Sequence, residues 1–245
     1  MIMLSIVFLI FISEVKSQTA AMGFYNEANS RYRNGDFLSA IAGYERAVES
    51  GGINSPLFYN LGNAYFENGD IGKAILWYER AKKLAPRDED IQANLRFAQE
   101  VKKDREPEDT GDIEKLLGDF FNFPSMNELS LIFSICWICL FVTAGLCYHR
   151  RNGKSTAFLV FFIFLSFSFG GWALLRTYSL MGETPAIVMN DVVTARSGPG
   201  ITQTEVFIVH EGTKVFVKRR ENEWILVRLH NGMGGWVQAS QIESI

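Results

Sequence analysis

Two long apolar runs without a charged residue constrain this chain more than any other feature of its sequence. Residues 129–148 read LSLIFSICWICLFVTAGLCY, and residues 155–175 read STAFLVFFIFLSFSFGGWALL. About 20 helical residues, rising 1.5 Å each, cover a hydrocarbon core of about 30 Å. A charge at the centre of such a helix costs about 3 kcal/mol on insertion, and neither run contains one. The sequence therefore predicts a hairpin of two transmembrane helices rather than a buried hairpin in a soluble protein.

The short connector between the two runs predicts how the hairpin is oriented. Residues 149–154 read HRRNGK, with Arg150, Arg151 and Lys154 and no acidic side chain. Positive charges beside transmembrane helices keep a short loop on the cytoplasmic side. We therefore expect the basic loop to stay cytoplasmic, with both flanking soluble segments on the outer side of the cytoplasmic membrane.

The first 17 residues have the pattern of a secretory signal peptide. Residues 1–12 form an apolar run that is too short to span a bilayer as a helix. Val15 and Ser17 then stand at positions −3 and −1 from a plausible cleavage site before Gln18. Because no positive charge precedes the apolar run, an uncleaved anchor is the alternative. In either case, we expect the segment that follows to be exported.

Charge and motif patterns argue against nucleic-acid binding and against catalysis. Residues 18–128 carry 19 acidic and 13 basic side chains, whereas a nucleic-acid surface needs an extended basic face. Cys136 and Cys139 form a CWIC sequence with the spacing of a dithiol redox site, but a reactive thiolate needs an exposed, electropositive setting rather than hydrocarbon. No metal-ligand spacing, nucleophile elbow or phosphate loop occurs. We expect no enzymatic activity, no cofactor and no bound metal.

The segment before the hairpin repeats itself after 34 residues. FYNEANSRYRNGDFLSAIAGYERA, residues 24–47, aligns with FYNLGNAYFENGDIGKAILWYERA, residues 58–81, and 13 of these 24 positions are identical. A 34-residue period with a Gly-Asp turn between two helical patterns resembles the tetratricopeptide repeat family. This resemblance implies an all-α domain over residues 18–103, with repeats at 22–55 and 56–89 and a capping helix at 90–103. Small residues should allow the paired helices to approach closely: Ala28, Ala40, Ala47, Gly62, Ala74 and Ala81.

The same resemblance implies a concave groove lined by the first helix of each repeat. By family position, the groove-facing side chains are Tyr25, Asn29, Tyr59, Asn60, Asn63 and Asn94. An asparagine amide both donates and accepts hydrogen bonds, so such a row can hold an extended peptide backbone. Alternatively, these residues follow the repeat consensus and contact only water. Tyr25 and Asp90 occupy the places where related grooves carry cations for a free carboxylate, so we expect an internal or neutral ligand segment.

Residues 104–128 form an acidic linker that ends in a short apolar stripe. The linker begins DREPEDTGD. We interpret the stripe as a short juxtamembrane helix that lies on the membrane surface, with packing against the repeats as the alternative. Its apolar residues are Ile113, Leu116, Leu117, Phe120 and Phe121.

Residues 183–245 change to short alternating apolar runs separated by turns, which predicts five or six strands in a small all-β barrel. The runs VVTARSGPG, HEGTKVFV, EWILVRL and GGWV resemble the bacterial Src-homology-3-like family. The ligands of that family vary and include peptidoglycan and proteins. Trp224 and Trp236 are candidates for a ligand shelf on the barrel, with ordinary packing as the alternative.

Together these parts predict a multidomain membrane protein. Their order along the chain resembles that of the BatE family of Bacteroides aerotolerance proteins. That resemblance implies a stress-tolerance complex of a bacterial cell envelope, with the hairpin in the cytoplasmic (inner) membrane and both soluble domains in the periplasm. Its partners would be von Willebrand A-domain membrane proteins and, indirectly, a MoxR-type AAA+ ATPase. We expect a non-enzymatic scaffold that binds protein partners through its periplasmic repeats. The alternative is a module that binds peptidoglycan or senses the envelope through the barrel.

Overall fold

The computed structural model describes residues 2–104, 120–121, 124, 126–150, 153–181 and 184–245. The chain divides into two compact units, one of residues 1–106 and 184–245 and the other of residues 107–183. Some residues named in the predictions lie outside the described part of the chain. They are most of the acidic linker, including Ile113, Leu116 and Leu117, and Arg151 of the connector.

The repeat segment is helical, with two helix pairs and one closing helix, as the 34-residue period predicts. The first helix continues without a break through the apolar run at the start of the chain, so cleavage of residues 1–17 stays a prediction. The helices are α1 (Ile2–Arg33), α2 (Phe37–Glu49), α3 (Ser55–Asn68), α4 (Ile71–Leu84) and α5 (Glu89–Val101).

Local capping explains where these helices begin and end. Asn54 precedes α3, and its side-chain oxygen accepts a hydrogen bond of 2.9 Å from the Leu57 N–H. Asp88 caps α5 in the same way, through the N–H groups of Asp90 and Ile91. Gly69 ends α3 at φ 89°, a left-handed conformation in which glycine avoids the strain of a side chain. Each such N-cap stabilises its helix by about 1 kcal/mol.

The predicted small residues do allow the paired helices to pack closely. A Cβ on Gly62 would lie 2.7 Å from the Tyr78 ring, so glycine is needed for α3 to approach α4. Leu61 and Tyr78 fill the space between the helices and are almost fully buried. The alanines of the prediction are completely buried in the same core: Ala28, Ala40, Ala47, Ala74 and Ala81.

The C-terminal segment forms an antiparallel sheet with seven strands among the described residues, where five or six were expected. The strands are β1 (Thr184–Val188), β2 (Val192–Arg196), β3 (Glu205–His210), β4 (Lys214–Glu221), β5 (Trp224–Arg228), β6 (Gly234–Gln238) and β7 (Ile242–Ser244). Their order in the sheet is β3-β2-β6-β5-β4-β1-β7. The β4–β5 hairpin turns at Asn222, which adopts φ 55° and is a residue type that tolerates this conformation.

The repeats and the sheet share a buried junction, which the sequence did not predict. Ile187 of β1 is completely buried, and it belongs to the core of the repeats rather than to that of the sheet. A Cβ on Gly72 of α4 would lie 3.2 Å from both the Gly212 nitrogen and the Val188 oxygen. A Cβ on Gly212 would lie 2.7 Å from Ile75 of α4. The backbones of α4 and of the β3–β4 turn therefore pack directly on each other.

Polar contacts surround this junction. The Lys214 ammonium lies 3.0 Å from the Glu79 carboxylate, whose side chain is only 10% exposed. At the edge, the Arg80 guanidinium donates to the Glu243 carboxylate at 2.9 Å and to the Ser244 carbonyl at 2.7 Å. A buried carboxylate such as Glu79 needs a partner of this kind.

Asp104 fixes the end of the repeat segment to the sheet. Its Oδ2 accepts hydrogen bonds from the His210 backbone N–H at 2.7 Å and from the Thr213 hydroxyl at 2.9 Å, and its Oδ1 lies 2.6 Å from the His210 Nδ1. Burial alone would raise the pKa of Asp104. The hydrogen bonds from His210 and Thr213 outweigh burial and hold that pKa below its usual value.

The second unit contains two helices that are long and apolar enough to cross a membrane. They are α6 (Met126–Arg150) and α7 (Gly153–Met181). Their apolar windows, Glu128–His149 and Gly153–Tyr178, have mean hydropathies of 2.3 and 2.2. Both helices extend beyond the apolar runs at 129–148 and 155–175.

The two helices pack against each other near the start of α6 and the end of α7. A Cβ on Gly170 would lie 3.1 Å from the Phe133 ring. At this end, Trp172 stacks on Phe120 and Phe121, and its indole N–H donates to the Phe121 carbonyl at 3.2 Å. These two phenylalanines of the expected juxtamembrane helix therefore pack on α7. Aromatic side chains are enriched at the ends of helices that span a membrane.

Candidate functional site

The predicted asparagines lie on the face formed by α1, α3 and α5, where they bond to one another. The Asn60 Nδ2 donates to the Tyr25 hydroxyl at 3.0 Å and to the Asn29 Oδ1 at 3.1 Å. The same Asn29 Oδ1 also accepts from the Tyr44 hydroxyl at 2.6 Å. These bonds tie the first helix of one repeat to the first helix of the next.

The same set of bonds recurs 34 residues later. The Asn94 Nδ2 donates to the Tyr59 hydroxyl and to the Asn63 Oδ1, both at 2.9 Å, and the Tyr78 hydroxyl donates to the Asn63 Oδ1 at 2.7 Å. We call the two sets together the amide ladder. Its members are Tyr25, Asn29, Tyr44, Asn60 and their equivalents Tyr59, Asn63, Tyr78, Asn94.

The amide ladder uses only half of each asparagine amide. The two Nδ2 hydrogens of Asn60 both have acceptors, whereas its Oδ1 makes no hydrogen bond within the described part of the chain. The Asn29 Oδ1 accepts twice, whereas its Nδ2 makes no hydrogen bond there. Asn63 and Asn94 repeat this pattern. Each repeat junction therefore offers one amide oxygen and one amide NH₂ group, all on partly buried side chains.

Two adjacent hollows lie along this face, and they share Tyr32 and Asn63. Each has a volume of about 240 Å³. The first hollow is lined by Asn29, Tyr32, Arg33, Tyr44, Asn60 and Asn63. The second hollow is lined by Tyr32, Asn63, Phe66, Glu67, Tyr78, Asn94 and Phe97. We use the term groove for these two hollows together.

Sequence reasoning missed the tyrosines that hold the asparagines in place. Tyr44 and Tyr78 were not among the predicted groove residues, and their hydroxyls donate to the side-chain oxygens of Asn29 and Asn63. Burial raises the pKa of both tyrosines above the usual value, so both remain protonated donors at neutral pH. The recurring 15-residue interval from asparagine to tyrosine was the available signal.

The structure does not bring together Tyr25 and Asp90, the two residues from which a neutral or internal ligand segment was expected. The Tyr25 hydroxyl accepts from Asn60, while Asp90 lies exposed in the first turn of α5 and lines neither hollow. The groove has one cation among its described lining residues, Arg33. The expectation that it holds an internal or neutral segment stays a prediction.

The two barrel tryptophans lie on one face of the sheet, opposite the barrel core. Leu226 of β5 pairs with Trp236 of β6, and Trp224 pairs with Gln238 two residues further along the same strands. Paired residues and residues two apart on a strand lie on the same face of the sheet. Trp236 is only 9% exposed and Trp224 is partly buried. Little of Trp236 is therefore accessible for a ligand, and the shelf stays a prediction.

A metal site needs several histidine, cysteine or acidic side chains close together. Within the described residues, no group of three or more histidine, cysteine or acidic side chains could hold a metal ion. Cys136 is buried and Cys139 is partly buried in α6, the more hydropathic of the two apolar helices.

Comparison with known families agrees with both soluble domains. Residues 25–89 match the tetratricopeptide repeat family, and residues 191–243 match the bacterial SH3 domain family. No curated protein matches the chain. The chain thus contains a tetratricopeptide repeat region, which indicates protein binding, and a bacterial SH3 domain.

Proposed function

We propose that this protein is a membrane-anchored, non-enzymatic scaffold that holds an extended segment of a partner protein in the groove of its repeats. The observation that carries the proposal is the amide ladder, which fixes four asparagines and leaves one donor group and one acceptor at each repeat junction. An extended backbone presents N–H and C=O groups that complement both. Each such bond contributes about 1 kcal/mol.

The repeat–sheet junction supports placing both soluble domains on one side of a membrane. Glu79 and Asp104 precede the first apolar helix, yet they bind Lys214 and His210, which follow the second. A chain that crosses a membrane twice returns to the side from which it started. The basic connector, with Lys154 exposed at the start of α7, favours the cytoplasm for the loop and the periplasm for both domains.

The resemblance to the BatE family extends this proposal to a Bat-type envelope complex for aerotolerance or stress tolerance. In that complex the groove would hold a segment of a von Willebrand A-domain membrane protein, and a MoxR-type AAA+ ATPase would act from the cytoplasm. The alternative, a barrel that binds peptidoglycan, would need an accessible ligand surface. The burial of Trp236 favours the repeats as the main binding site instead.

A double substitution tests the groove without breaking the amide ladder. Asn29→Asp with Asn63→Asp retains the oxygens that accept from the tyrosines and from the next asparagine, but it removes the free NH₂ groups. We expect normal thermal stability and loss of partners that co-purify from detergent-solubilised membranes. Asn60→Leu with Asn63→Leu should also lose these partners while remaining helical.

Asn26→Asp is the matched control. Asn26 is equivalent to Asn60 and Asn94, but it lies exposed in the first repeat and lines neither hollow. The control should keep every partner of the wild type. Unchanged partner recovery in the Asn29→Asp, Asn63→Asp protein, measured by quantitative mass spectrometry, would refute the binding role of the groove.

A further inference from the structure

Two opposite charges stand at equivalent positions of the two repeats. Arg33 ends α1, and Glu67 lies 34 residues later near the end of α3. Arg33 is the charged residue that lines the first hollow, and Glu67 is the one that lines the second, among the described residues. The groove therefore changes from positive to negative along its length.

Both charges are available to a ligand. Arg33 and Glu67 are exposed, and neither forms an ion pair with another residue in the part of the chain that the structure describes. The electrostatic effect of both charges also extends to tyrosines that line the groove. Burial is the main reason that the pKa of Tyr32 is raised, and Glu67 raises it further, while Arg33 opposes the rise in the pKa of Tyr44.

Aromatic rings next to Glu67 make the second hollow suitable for a basic side chain. Phe66 and Phe97 pack with their ring centroids 5.4 Å apart, and Phe97 remains 56% exposed. The aliphatic stem of a lysine or arginine packs on such rings, and its charged head is attracted to their faces. The Glu67 carboxylate then lies beside the same hollow.

The amide ladder binds any backbone, so it cannot by itself choose between partner sequences. We propose that the groove selects an extended segment with an acidic side chain over Arg33 and a basic side chain over Glu67. Neighbouring packed helices lie about 8–10 Å apart, and an extended chain advances about 3.3 Å per residue, so the two side chains should be about three residues apart. This inference rests on the proposed function, because it concerns the same groove.

Blocked peptides of defined charge test this selectivity on the full chain in detergent. We would use about ten-residue peptides of Ser, Thr, Asn and Gly. Four peptides differ only at two positions that lie about three residues apart. These positions carry Glu and Lys in the first peptide, Glu and Glu in the second, Lys and Lys in the third, and Gln and Gln in the fourth. Fluorescence anisotropy measures each affinity. The wild type should bind the Glu/Lys peptide about fivefold more tightly than the Gln/Gln peptide, the size expected for two exposed ion pairs.

Reversal of one charge should then change the preferred peptide. Arg33→Glu should prefer the Lys/Lys peptide, and Glu67→Lys should prefer the Glu/Glu peptide, which a purely structural role would not produce. Lys82→Glu makes a charge reversal on α4 at a residue that lines neither hollow, and it should keep the wild-type ranking.

The outcomes separate this inference from the proposed function. If all variants bind the four peptides in the wild-type order, the charge selection is wrong and peptide binding in the groove stands. If no peptide binds the wild type up to about 1 mM, both proposals are wrong.

Discussion

The groove and the repeat–sheet junction are two polar surfaces of the same helical array, and they differ in how far their hydrogen-bonding groups are used. At the junction, Glu79 is paired with Lys214, and Asp104 accepts from both His210 and Thr213. In the groove, each ladder asparagine keeps half of its amide without a bond in the described structure. Polarity is therefore common to both surfaces, and the proposal that the groove binds a ligand rests instead on its fixed but unused hydrogen-bonding groups.

The two surfaces also differ in how much open volume they contain. The junction brings the backbones of α4 and the β3–β4 turn into contact, because a Cβ on Gly72 would lie only 3.2 Å from the Gly212 nitrogen and the Val188 oxygen. The groove instead contains two hollows of about 240 Å³ each. A closed, fully paired contact is typical of an internal interface, so changes there should affect stability, and changes in the groove should affect binding.

The largest expected effect comes from breaking the junction through Gly72→Leu. The new side chain would collide with the backbone at Gly212 and Val188, so we expect a loss of about 2–3 kcal/mol in the free energy of opening. Hydrogen exchange at the Gly212 N–H, which bonds to the Val188 carbonyl, measures this opening. Gly23→Leu is the control, because a Cβ there has nothing within 4 Å. Unaltered exchange in Gly72→Leu would show that the junction does not form.

The second-largest expected effect is a loss of stability when a groove asparagine is replaced. Asn63→Leu removes the acceptor of the buried Tyr78 hydroxyl and one acceptor of Asn94, so we expect a loss of about 2 kcal/mol in stability. Asn26→Leu, at the exposed equivalent of Asn60, should change stability by less than about 0.5 kcal/mol. Denaturant unfolding followed by circular dichroism measures both. Equal effects of the two substitutions would mean that the amide ladder does not stabilise the array.

Acidification should weaken the junction before it affects the groove. The folded state lowers the pKa of Asp104, so the stability that this carboxylate contributes is present above its unfolded value of about 4. That contribution is lost as the pH falls from about 4 through the folded value. Hydrogen exchange at the His210 N–H should therefore accelerate in acid beyond the general trend. Asp104→Asn should lack this additional acceleration, and a variant with the wild-type pH dependence would contradict the assignment.

The smallest expected effect is at the exposed edge of the junction. Glu243 is 50% exposed, so the Arg80–Glu243 pair is screened by solvent. Arg80→Ala should cost less than about 1 kcal/mol, and added salt should reduce the difference from the wild type. A loss as large as that of Gly72→Leu would show that the edge, rather than the backbone contact, holds the two domains together.

The parts of the fold with a local period could be predicted from the sequence. Gly62 and Ala74 recur with a 34-residue period, and their close packing follows from that period. The apolar runs of both membrane-type helices and the alternation of the strands are likewise local patterns. The seventh strand was not expected, because β7 has only three residues and shows no alternation of its own.

The junction and the amide ladder could not be predicted, for a physical reason. Glu79 and Lys214 are 135 residues apart, and each is an ordinary surface charge when read locally. The asparagines were expected to face one groove, but their bonding to one another depends on how helices from different repeats pack. Only that packing shows that Asn60 gives its NH₂ group to Tyr25 and Asn29 and that its oxygen makes no hydrogen bond within the described part of the chain.

Cross-linking from outside the cell tests the central claim most directly, namely that the repeats and the sheet form one docked unit on the outer side of the membrane. The three native cysteines, Cys136, Cys139 and Cys147, are replaced by serine, and Arg80→Cys is combined with Glu243→Cys. A short, membrane-impermeant bis-maleimide added to intact spheroplasts should join the two new cysteines. Labelling of one cysteine without cross-linking, or cross-linking only after the membrane is permeabilised, would contradict the account.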